Sequence, residues 1–215
     1  MNTIIVNDKT FASKNILDFI DIGANKGGSY HYIKKIFGFD SGLCIDIDIN
    51  KVNLSIANKA PAICLDATNM SLFTDNSCKL ISILHTLEHL PSRKLVKNIL
   101  KESVRVAKDK LYIKGPMYYI DYLKPLGFQF YWSHWRGHTY LIEPGEIIEI
   151  MKNLGKTKYT LNFVKLVNDS NDSCIHSING LIDRHAYDKK IDPPKKLNYK
   201  FKKDIYKEFE IVFEL

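Results

Sequence analysis

Short apolar runs alternate along this chain with longer segments in which apolar residues recur at helical spacing. Strands are predicted at residues 16–22, 43–47, 62–65, 80–84 and 111–113. Helices are predicted at residues 29–37, 51–58 and 94–107. Near-continuous apolar strands that alternate with helices are typical of a parallel sheet whose two faces are both covered. The pattern therefore predicts an α/β fold, doubly wound around a mostly parallel sheet.

The chain departs from this alternation after Pro116. Residues 117–142 are dense in aromatic side chains and contain no predicted helix or strand. A helix is then predicted to begin at Pro144, because proline is tolerated in the first turn, and to end at Gly155. Two further strands are predicted at residues 159–167 and 208–215.

Residues 168–207 separate the last two predicted strands, and they are too long for a plain loop in a compact domain. We expect them to contain a helix near residues 175–185. A length of 215 residues favours one domain, residues 1–215. Within it, we expect residues 117–142 and 168–207 to be insertions on the substrate side.

A glycine-rich turn, DIGANKGGS at residues 21–29, follows the first predicted strand. Glycine lets the backbone approach a ligand closely and permits positive φ. The helix behind the turn offers unpaired N–H groups and the positive end of its dipole. In a doubly wound sheet this strand end is the expected ligand crevice. The spacing GxxxGG does not match the dinucleotide pattern GxGxxG, and alone it is compatible with many nucleotide ligands.

Acidic residues follow the next two predicted strands. Asp46 ends the second strand, where a carboxylate can accept hydrogen bonds from both hydroxyls of a ribose. Asp48 offers a second carboxylate, but it can also cap the helix that begins near Asn50, and we favour Asp48 as the cap. Asp66 ends the third strand, where it can accept from the exocyclic amine of an adenine while the Ala67 N–H meets a ring nitrogen. An aspartate in this position can also be a simple turn residue.

The order of these features resembles the class I S-adenosylmethionine-dependent methyltransferases, within the small-molecule group that carries an LEHL signature. The resemblance covers residues 16–155. It rests on DFIDIGANKGGS as the glycine loop, GLCIDIDINKVNLSIAN as the ribose-binding strand end, and ICLDATNMSLFTDNSCKLISILHTLEHL as the adenine-binding and following segments. Asn25 stands in place of the second glycine of the usual GxGxG, and Cys78-Lys79 replaces the usual Phe-Asp. These departures concern which subfamily the chain resembles, and they do not alter the expectation that it binds the cofactor.

The resemblance implies a Rossmann-like, seven-stranded sheet with helices on both faces and an antiparallel last strand. It implies S-adenosylmethionine as the cofactor and S-adenosylhomocysteine as the product. The implied contacts are Asp21, Gly23 and Gly27 at the methionine portion, Asp46 at the ribose, Asp66 and Ala67 at the adenine, and His85 near the sulfonium. Ala24, Asn25 and Ile47 complete the predicted cofactor-binding set.

Methyl transfer needs in-line positioning and, for a hydroxyl or a protonated amine, a base. The catalytic candidates are His138, His85 and His134, and we favour His138, because a neutral imidazole suits proton abstraction. Glu88 and His89 of LEHL are further candidates, with a purely structural role equally open. Each histidine has the alternative of a pocket wall without a proton role.

Three residues near these histidines are predicted to bind the substrate. Trp132 and Trp135 flank His134 in the aromatic segment FYWSHWRGHTY, which the resemblance places after the fifth strand. Arg136 can bind an anionic group of the substrate, or it can stack on a neighbouring tryptophan.

We expect a methyltransferase that acts at oxygen or nitrogen of a small-molecule or sugar-type acceptor. The alternative is an RNA or protein methyltransferase, because residues 189–207 hold eight lysines against two aspartates and carry most of the net charge of +7. A solvated lysine-rich loop explains the same stretch, and no RNA-binding module is evident, so nucleic acid is not the favoured partner. A nicotinamide-dependent oxidoreductase is disfavoured by the glycine spacing and by Asp66. A non-catalytic cofactor-binding protein is a further alternative.

Cysteine spacing and hydropathy limit the remaining possibilities. The four cysteines are widely spaced and form no CxxC pair, so we expect structural thiols, no disulfides and no metal site. No apolar stretch approaches the roughly 18 residues that cross a bilayer. The first residues lack the pattern of a secretion signal. We therefore expect a soluble, cytoplasmic protein without a membrane partner.

Overall fold

The computed structural model describes residues 3–6, 9–12, 17–181 and 185–215. The strands are β1 (Thr3–Val6), β2 (Lys9–Ala12), β3 (Leu17–Ile22), β4 (Gly42–Asp46), β5 (Ala62–Cys64), β6 (Cys78–Leu84), β7 (Ala107–Pro116), β8 (Phe128–Phe130), β9 (Tyr159–Asp169), β10 (Ile175–Ser177) and β11 (Lys200–Glu214). The helices are α1 (Gly28–Phe37), α2 (Ile49–Ala57), α3 (Arg93–Val106), α4 (Ile120–Leu123) and α5 (Pro144–Asn153). Single 3₁₀ turns occur at Leu87–His89, Lys124–Leu126 and Tyr131–Ser133.

Seven strands form the central sheet in the order β5-β4-β3-β6-β7-β11-β9. The strands from β5 to β7 in this order are parallel. The last strand of the chain, β11, is antiparallel to both of its neighbours, β7 and β9. The predicted mostly parallel, seven-stranded sheet with an antiparallel last strand is therefore confirmed. β1 and β2 form a separate antiparallel pair.

Helices cover both faces of the sheet because its strands are apolar on both sides. One buried cluster packs Leu100 of α3 and Ile147 of α5 against Ile81 of β6. The other packs Ile33 of α1 against Phe19 of β3. All five side chains are fully buried. This arrangement leaves the carboxyl ends of the parallel strands together at one edge of the sheet.

The prediction that residues 117–142 lack regular structure is wrong. They contain α4, β8 and two of the 3₁₀ turns. The elements are short, and β8 is stabilised by pairing with β10, which comes from a distant part of the chain. Periodicity within residues 117–142 could not reveal a pairing with a strand that begins at Ile175.

The helix predicted near residues 175–185 is also wrong over the described residues of that range. Ile175–Ser177 is strand β10, and it aligns Ile175 with Phe130 of β8. A turn follows, in which the Gly180 N–H donates to the carbonyl oxygen of Ser177 at 2.8 Å. Pairing with β8 therefore outweighs the local helical pattern, since β-branched residues pack well on a pleated surface. Residues 182–184 of the predicted helix lie outside the described residues.

The two long insertions pack against each other. Their buried side chains, together with Val167 of β9, form a third apolar cluster, called here the insertion cluster: Tyr118, Leu123, Phe128, Phe130, Trp132, Val167, Cys174, Ile175 and Ile205. Phe130 and Trp132 stack with ring centroids 4.4 Å apart. Because residue 117 directly follows the carboxyl end of β7, the insertion cluster begins at the same sheet edge as the glycine turn after β3.

The cysteines and the length of the helices bear on two further expectations from the sequence. All four cysteines are free, as expected, and Cys44, Cys78 and Cys174 are buried. Cys64, in contrast, is exposed on β5, an edge strand of the central sheet. None of the helices in the described ranges combines the length and apolarity needed to cross a membrane.

Candidate functional site

A cavity of about 610 Å³ lies at the carboxyl ends of β3, β4, β5 and β6. Its volume falls in the range of roughly 300–1,000 Å³ that is usual for small-molecule sites. Most of the residues predicted to bind a cofactor line this cavity: Gly23, Asn25, Asp46, Ile47, Asp66, Ala67 and His85. The other three predicted residues, Asp21, Ala24 and Gly27, do not line it.

Two positions in the turn after β3, residues 23 and 27, require glycine. Gly23 has φ +70°, and a Cβ there would lie 2.4 Å from Thr86 Oγ1. Thr86 is held in place because its hydroxyl donates to the carbonyl oxygen of Ile22 at 3.2 Å. Gly27 has φ +80°, and a Cβ there would lie 2.7 Å from the Cβ of Ala60. The turn therefore brings bare backbone to the cavity at Gly23 and packs tightly against the fold at Gly27.

Asp21 lies behind the turn and is fully buried. Its carboxylate accepts hydrogen bonds from the hydroxyls of Ser29 and Ser82, the latter at 2.6 Å. Burial raises the pKa of Asp21 from 3.8 to about 6, against the opposing effect of the two serine hydroxyls. In this structure Asp21 ties the start of α1 to β6 and shapes the cavity from outside its lining.

The elevated pKa of Asp21 makes the stability of the protein depend on pH. Below about pH 4 the carboxyl is protonated in both the folded and the unfolded state, whereas above about pH 6 the folded state must bury a charge. A shift of about two units corresponds to about 3 kcal/mol, which the folded protein loses as the pH rises through this window. The Asp21→Asn variant has no carboxyl group at this position, so its stability should not show this loss as the pH rises. Urea unfolding at pH 4 and pH 7 should show the difference, and parallel pH profiles for the two proteins would contradict it.

Asp46 and Asp66 are held by backbone donors at the cavity wall. The Asp46 carboxylate accepts from the N–H groups of Asn25 and Asp48, at 3.2 and 3.0 Å. Asp48 Oδ1 accepts from the Asn50 N–H at 2.8 Å, which confirms Asp48 as the N-cap of α2. Asp66 Oδ1 accepts from the Thr68 N–H at 2.8 Å, so Asp66 is a turn residue as well as a lining residue.

His85 occupies a distinctive position at the end of β6. Its φ of +50° is uncommon for a residue other than glycine, and such conformations cluster at functional sites. Its ring lies between two carboxylates: Nδ1 is 3.5 Å from Glu88 Oε1, and Nε2 is 3.6 Å from Glu208 Oε1. The side chain is 43% exposed, so it can meet a bound molecule.

A second cavity, of about 420 Å³, adjoins the first. It is lined by His85, Glu88, His89, Pro116, Tyr131, Trp132, Trp135, His138, Lys165, Ser173, Cys174, His185, Lys207 and Glu208. His85, His89 and Trp135 line both cavities. The two cavities are therefore neighbours, and these three side chains separate them.

The residues predicted for catalysis and substrate binding divide into two groups. His85, His138, Trp132 and Trp135 line the second cavity, whereas His134 and Arg136 line neither of the two cavities. Burial lowers the pKa of His138, against the opposing effect of the Glu88 charge. His138 is therefore a neutral imidazole at neutral pH, and its ring centroid lies 4.9 Å from that of Trp135.

Sequence reasoning missed much of the second cavity. Lys207 and Glu208 belong to β11, whose register places Glu208 opposite Pro116 of β7. Ser173 and Cys174 come from the second insertion, whose fold was predicted wrongly. No spacing in the sequence joins these segments. Only Tyr131 carried a usable signal, the dense aromatic segment around it.

Comparison with known proteins gives a consistent result. A family model described as a methyltransferase domain matches residues 20–113. This range contains the glycine turn, both acidic strand ends and the LEHL segment. No curated protein matches the chain.

Several solved structures share the fold. A SAM-dependent methyltransferase from Archaeoglobus fulgidus matches with a TM-score of 0.63 and 15% identity, over 92% of this chain and 85% of that one. A SAM-dependent methyltransferase from Methanosarcina mazei has a TM-score of 0.56 and 16% identity, over 94% and 93%. Phosphoethanolamine N-methyltransferase 2 of Haemonchus contortus, in complex with S-adenosyl-L-methionine, has a TM-score of 0.52 and 16% identity, over 71% and 36%. At these identities, the likeness concerns the fold.

Proposed function

We propose that this chain, whose residues 20–113 match a methyltransferase-domain family model and whose fold is shared by solved S-adenosylmethionine-dependent methyltransferases, methylates oxygen or nitrogen of a small-molecule or sugar-type acceptor. The observation that carries this proposal is the pair of adjoining cavities that share His85, His89 and Trp135. A cofactor in the larger cavity and an acceptor in the smaller one would meet at this shared wall. A volume of about 420 Å³ suits a small molecule.

The residues of the larger cavity fit S-adenosylmethionine. Asp46 is fixed by two backbone N–H groups at a strand end where a carboxylate can accept from ribose hydroxyls. Asp66 and Ala67 line the same cavity, as a site for an adenine requires. Gly23 leaves room for the backbone to approach the ligand. When bound, the cofactor supplies a sulfonium methyl group, which a nucleophile attacks in line.

Asp46 and Asp48 provide a matched pair of variants for this assignment. We expect Asp46→Asn to weaken binding of S-adenosylhomocysteine by about 10- to 100-fold, because hydrogen bonds to a charged acceptor contribute about 1.5–3 kcal/mol. Asp48→Asn should bind normally, because asparagine caps a helix as well as aspartate does. Isothermal titration calorimetry measures both, and equal affinities for the two variants would contradict the assignment of Asp46.

We assign His85 as the residue that takes the acceptor proton. Of the three predicted catalytic histidines, only His85 lines both cavities. Nε2 of its ring lies 3.6 Å from Glu208 Oε1, and an imidazole at the shared wall can accept the acceptor proton. The acceptor atom then forms its bond to the methyl carbon while the carbon–sulfur bond breaks and its electron pair stays on sulfur. Trp132 and Trp135 provide apolar walls that hold the acceptor.

The lysine-rich stretch gives limited support to an RNA substrate. Lys195 is buried, and its ammonium donates to the carbonyl oxygen of Asp172 at 2.9 Å. Lys200 and Lys207 form ion pairs with aspartates of the second insertion, and Lys203 lies 4.3 Å from the ring centroid of Tyr122. Much of the excess charge therefore has a structural partner.

A fractionated transfer assay tests the proposal. The protein is incubated with methyl-labelled S-adenosylmethionine and, separately, with hydroxylated and amine-containing small molecules, with RNA, and with protein extract. We expect label in the small-molecule fraction. Label confined to RNA or protein would contradict the proposal, and transfer to RNA should then fall steeply with added salt.

A further inference from the structure

Glu88, His89 and His138 bring three metal-binding groups together beside the shared wall. One ligand atom from each residue lies within 4.8 Å of those of the other two. Glu88 and His89 belong to the 3₁₀ turn after β6, and His138 belongs to the first insertion. All three side chains line the second cavity. The cluster therefore forms at a site open to the acceptor.

The two imidazoles can each present a nitrogen to an ion. His89 Nδ1 lies 2.7 Å from the carbonyl oxygen of Gly137. Since a carbonyl can only accept, Nδ1 carries the proton and Nε2 keeps its lone pair. A backbone carbonyl in this position is the usual orienting partner of a metal-binding histidine. His138 Nδ1 is buried, and a hydrogen bond with the backbone of Trp132 occupies only one of the two ring nitrogens.

Buried polar groups around Glu88 point to a missing positive charge. Glu88 is only 1% exposed. Its Oε1 atom lies 3.5 Å from Nδ1 of the half-exposed His85. The hydroxyl of Tyr118 is buried near this carboxylate without a hydrogen-bond partner among the described residues, and its ring lies 6.2 Å from that of His138. Burying a carboxylate without compensation is costly, and a bound cation would remove that cost.

We propose that Glu88, His89 and His138 bind a divalent transition-metal ion in the acceptor cavity. Two imidazoles and one carboxylate suit Zn²⁺ or a similar ion, and three protein ligands leave a position open to another molecule. Ligand distances of about 2.1 Å place tetrahedral ligands about 3.4 Å apart. The three ligand atoms lie within 4.8 Å of one another, so small side-chain rotations would bring them to the distances that the ion requires. The cysteine spacing that led us to expect no metal does not bear on these ligands, since none of them is a cysteine and His138 is distant in sequence from Glu88 and His89.

The coordination position that the three protein ligands leave open on the proposed ion indicates the chemical class of the acceptor. A divalent ion beside the shared wall would bind a hydroxyl oxygen and lower the pKa of that hydroxyl, which makes it a better nucleophile. The ion would thus select a hydroxyl-bearing acceptor, and His138 would act as a ligand while His85 takes the proton. This part of the inference rests on the proposed function, whereas binding of the ion does not.

Titration of untagged, chelator-treated protein with ZnCl₂ by calorimetry tests the site without any acceptor. We expect one ion per chain. His138→Asn should weaken binding by at least about 100-fold, since loss of an outer-shell partner alone costs about 10- to 100-fold. His185→Asn, in the same cavity but outside the cluster, should bind as the wild type does. Glu88→Gln provides a second ligand variant that keeps the shape of the side chain.

Binding of S-adenosylhomocysteine to the same preparations keeps the two proposals apart. His138 does not line the cofactor cavity, so His138→Asn should bind S-adenosylhomocysteine normally, which also verifies its fold. Absence of stoichiometric zinc binding, or equal zinc affinity of wild type and His138→Asn, would overturn the metal site and leave the proposed function standing. Zinc binding without S-adenosylhomocysteine binding would overturn the proposed function and support the metal site.

Discussion

Replacing His85 by asparagine is expected to lower kcat by about 10²- to 10⁴-fold, which is the usual contribution of a positioned general base. Asparagine is the appropriate substitution because it tolerates the positive φ of this position better than most residues. KM for the acceptor and the affinity for S-adenosylhomocysteine should change much less. Steady-state kinetics with the acceptor found by the transfer assay would measure this separation of kcat from KM.

The control for this variant is His31→Gln. His31 lies on the exposed side of α1, its Nε2 contacts the carbonyl oxygen of Asn58, and it lines neither of the two cavities. Its kcat should equal that of the wild type. A His85→Asn enzyme that loses affinity for the acceptor while keeping kcat would show that His85 binds the acceptor and takes no proton.

Replacing Gly23 by alanine is expected to weaken S-adenosylhomocysteine binding by about 100-fold and to destabilise the fold. The new methyl group would lie 2.4 and 2.5 Å from two atoms of the Thr86 side chain. Thr86 cannot move freely, because its hydroxyl is bonded to the carbonyl oxygens of Ile22 and Leu84. Overpacking costs about 1–3 kcal/mol, and the positive φ adds about 1–2 kcal/mol for alanine.

Gly28→Ala is the matched control for Gly23→Ala. A Cβ at Gly28 meets no atom within 4 Å, and this residue begins α1 with ordinary helical geometry. Alanine favours a helix over glycine by up to about 1 kcal/mol, so Gly28→Ala should be neutral or slightly stabilising. Thermal unfolding and calorimetric titration compare the two variants. Equal behaviour would contradict the proposed close approach at Gly23.

The central sheet and most of the predicted residues that line the larger cavity could be found from sequence because their signals are local. Buried parallel strands give continuous apolar runs, and the predicted ligand positions lie at strand ends: Asp46 is the last residue of β4, and Asp66 comes two residues after β5. The order of the strands then brings these ends together. Asp21 is the exception, since its burial behind the turn depends on Ser82 of a strand that follows much later.

The second cavity could not be predicted in the same way because it is assembled from distant segments. Glu208 reaches it through the register of β11 on β7, and Cys174 reaches it through the pairing of β10 with β8. Such pairings leave little trace in local periodicity. The cluster of Glu88, His89 and His138 could not be predicted for the same reason. The conformation of residues 117–142 brings His138 close to the other two residues.

A crystal structure with S-adenosylhomocysteine bound tests the central claim most directly, that cofactor and acceptor meet at the wall formed by His85, His89 and Trp135. The ligand should occupy the larger cavity, with its ribose at Asp46 and its adenine at Asp66. Its sulfur should lie at the shared wall, facing the second cavity. A sulfur that points away from His85, or a ligand bound outside the larger cavity, would contradict the account.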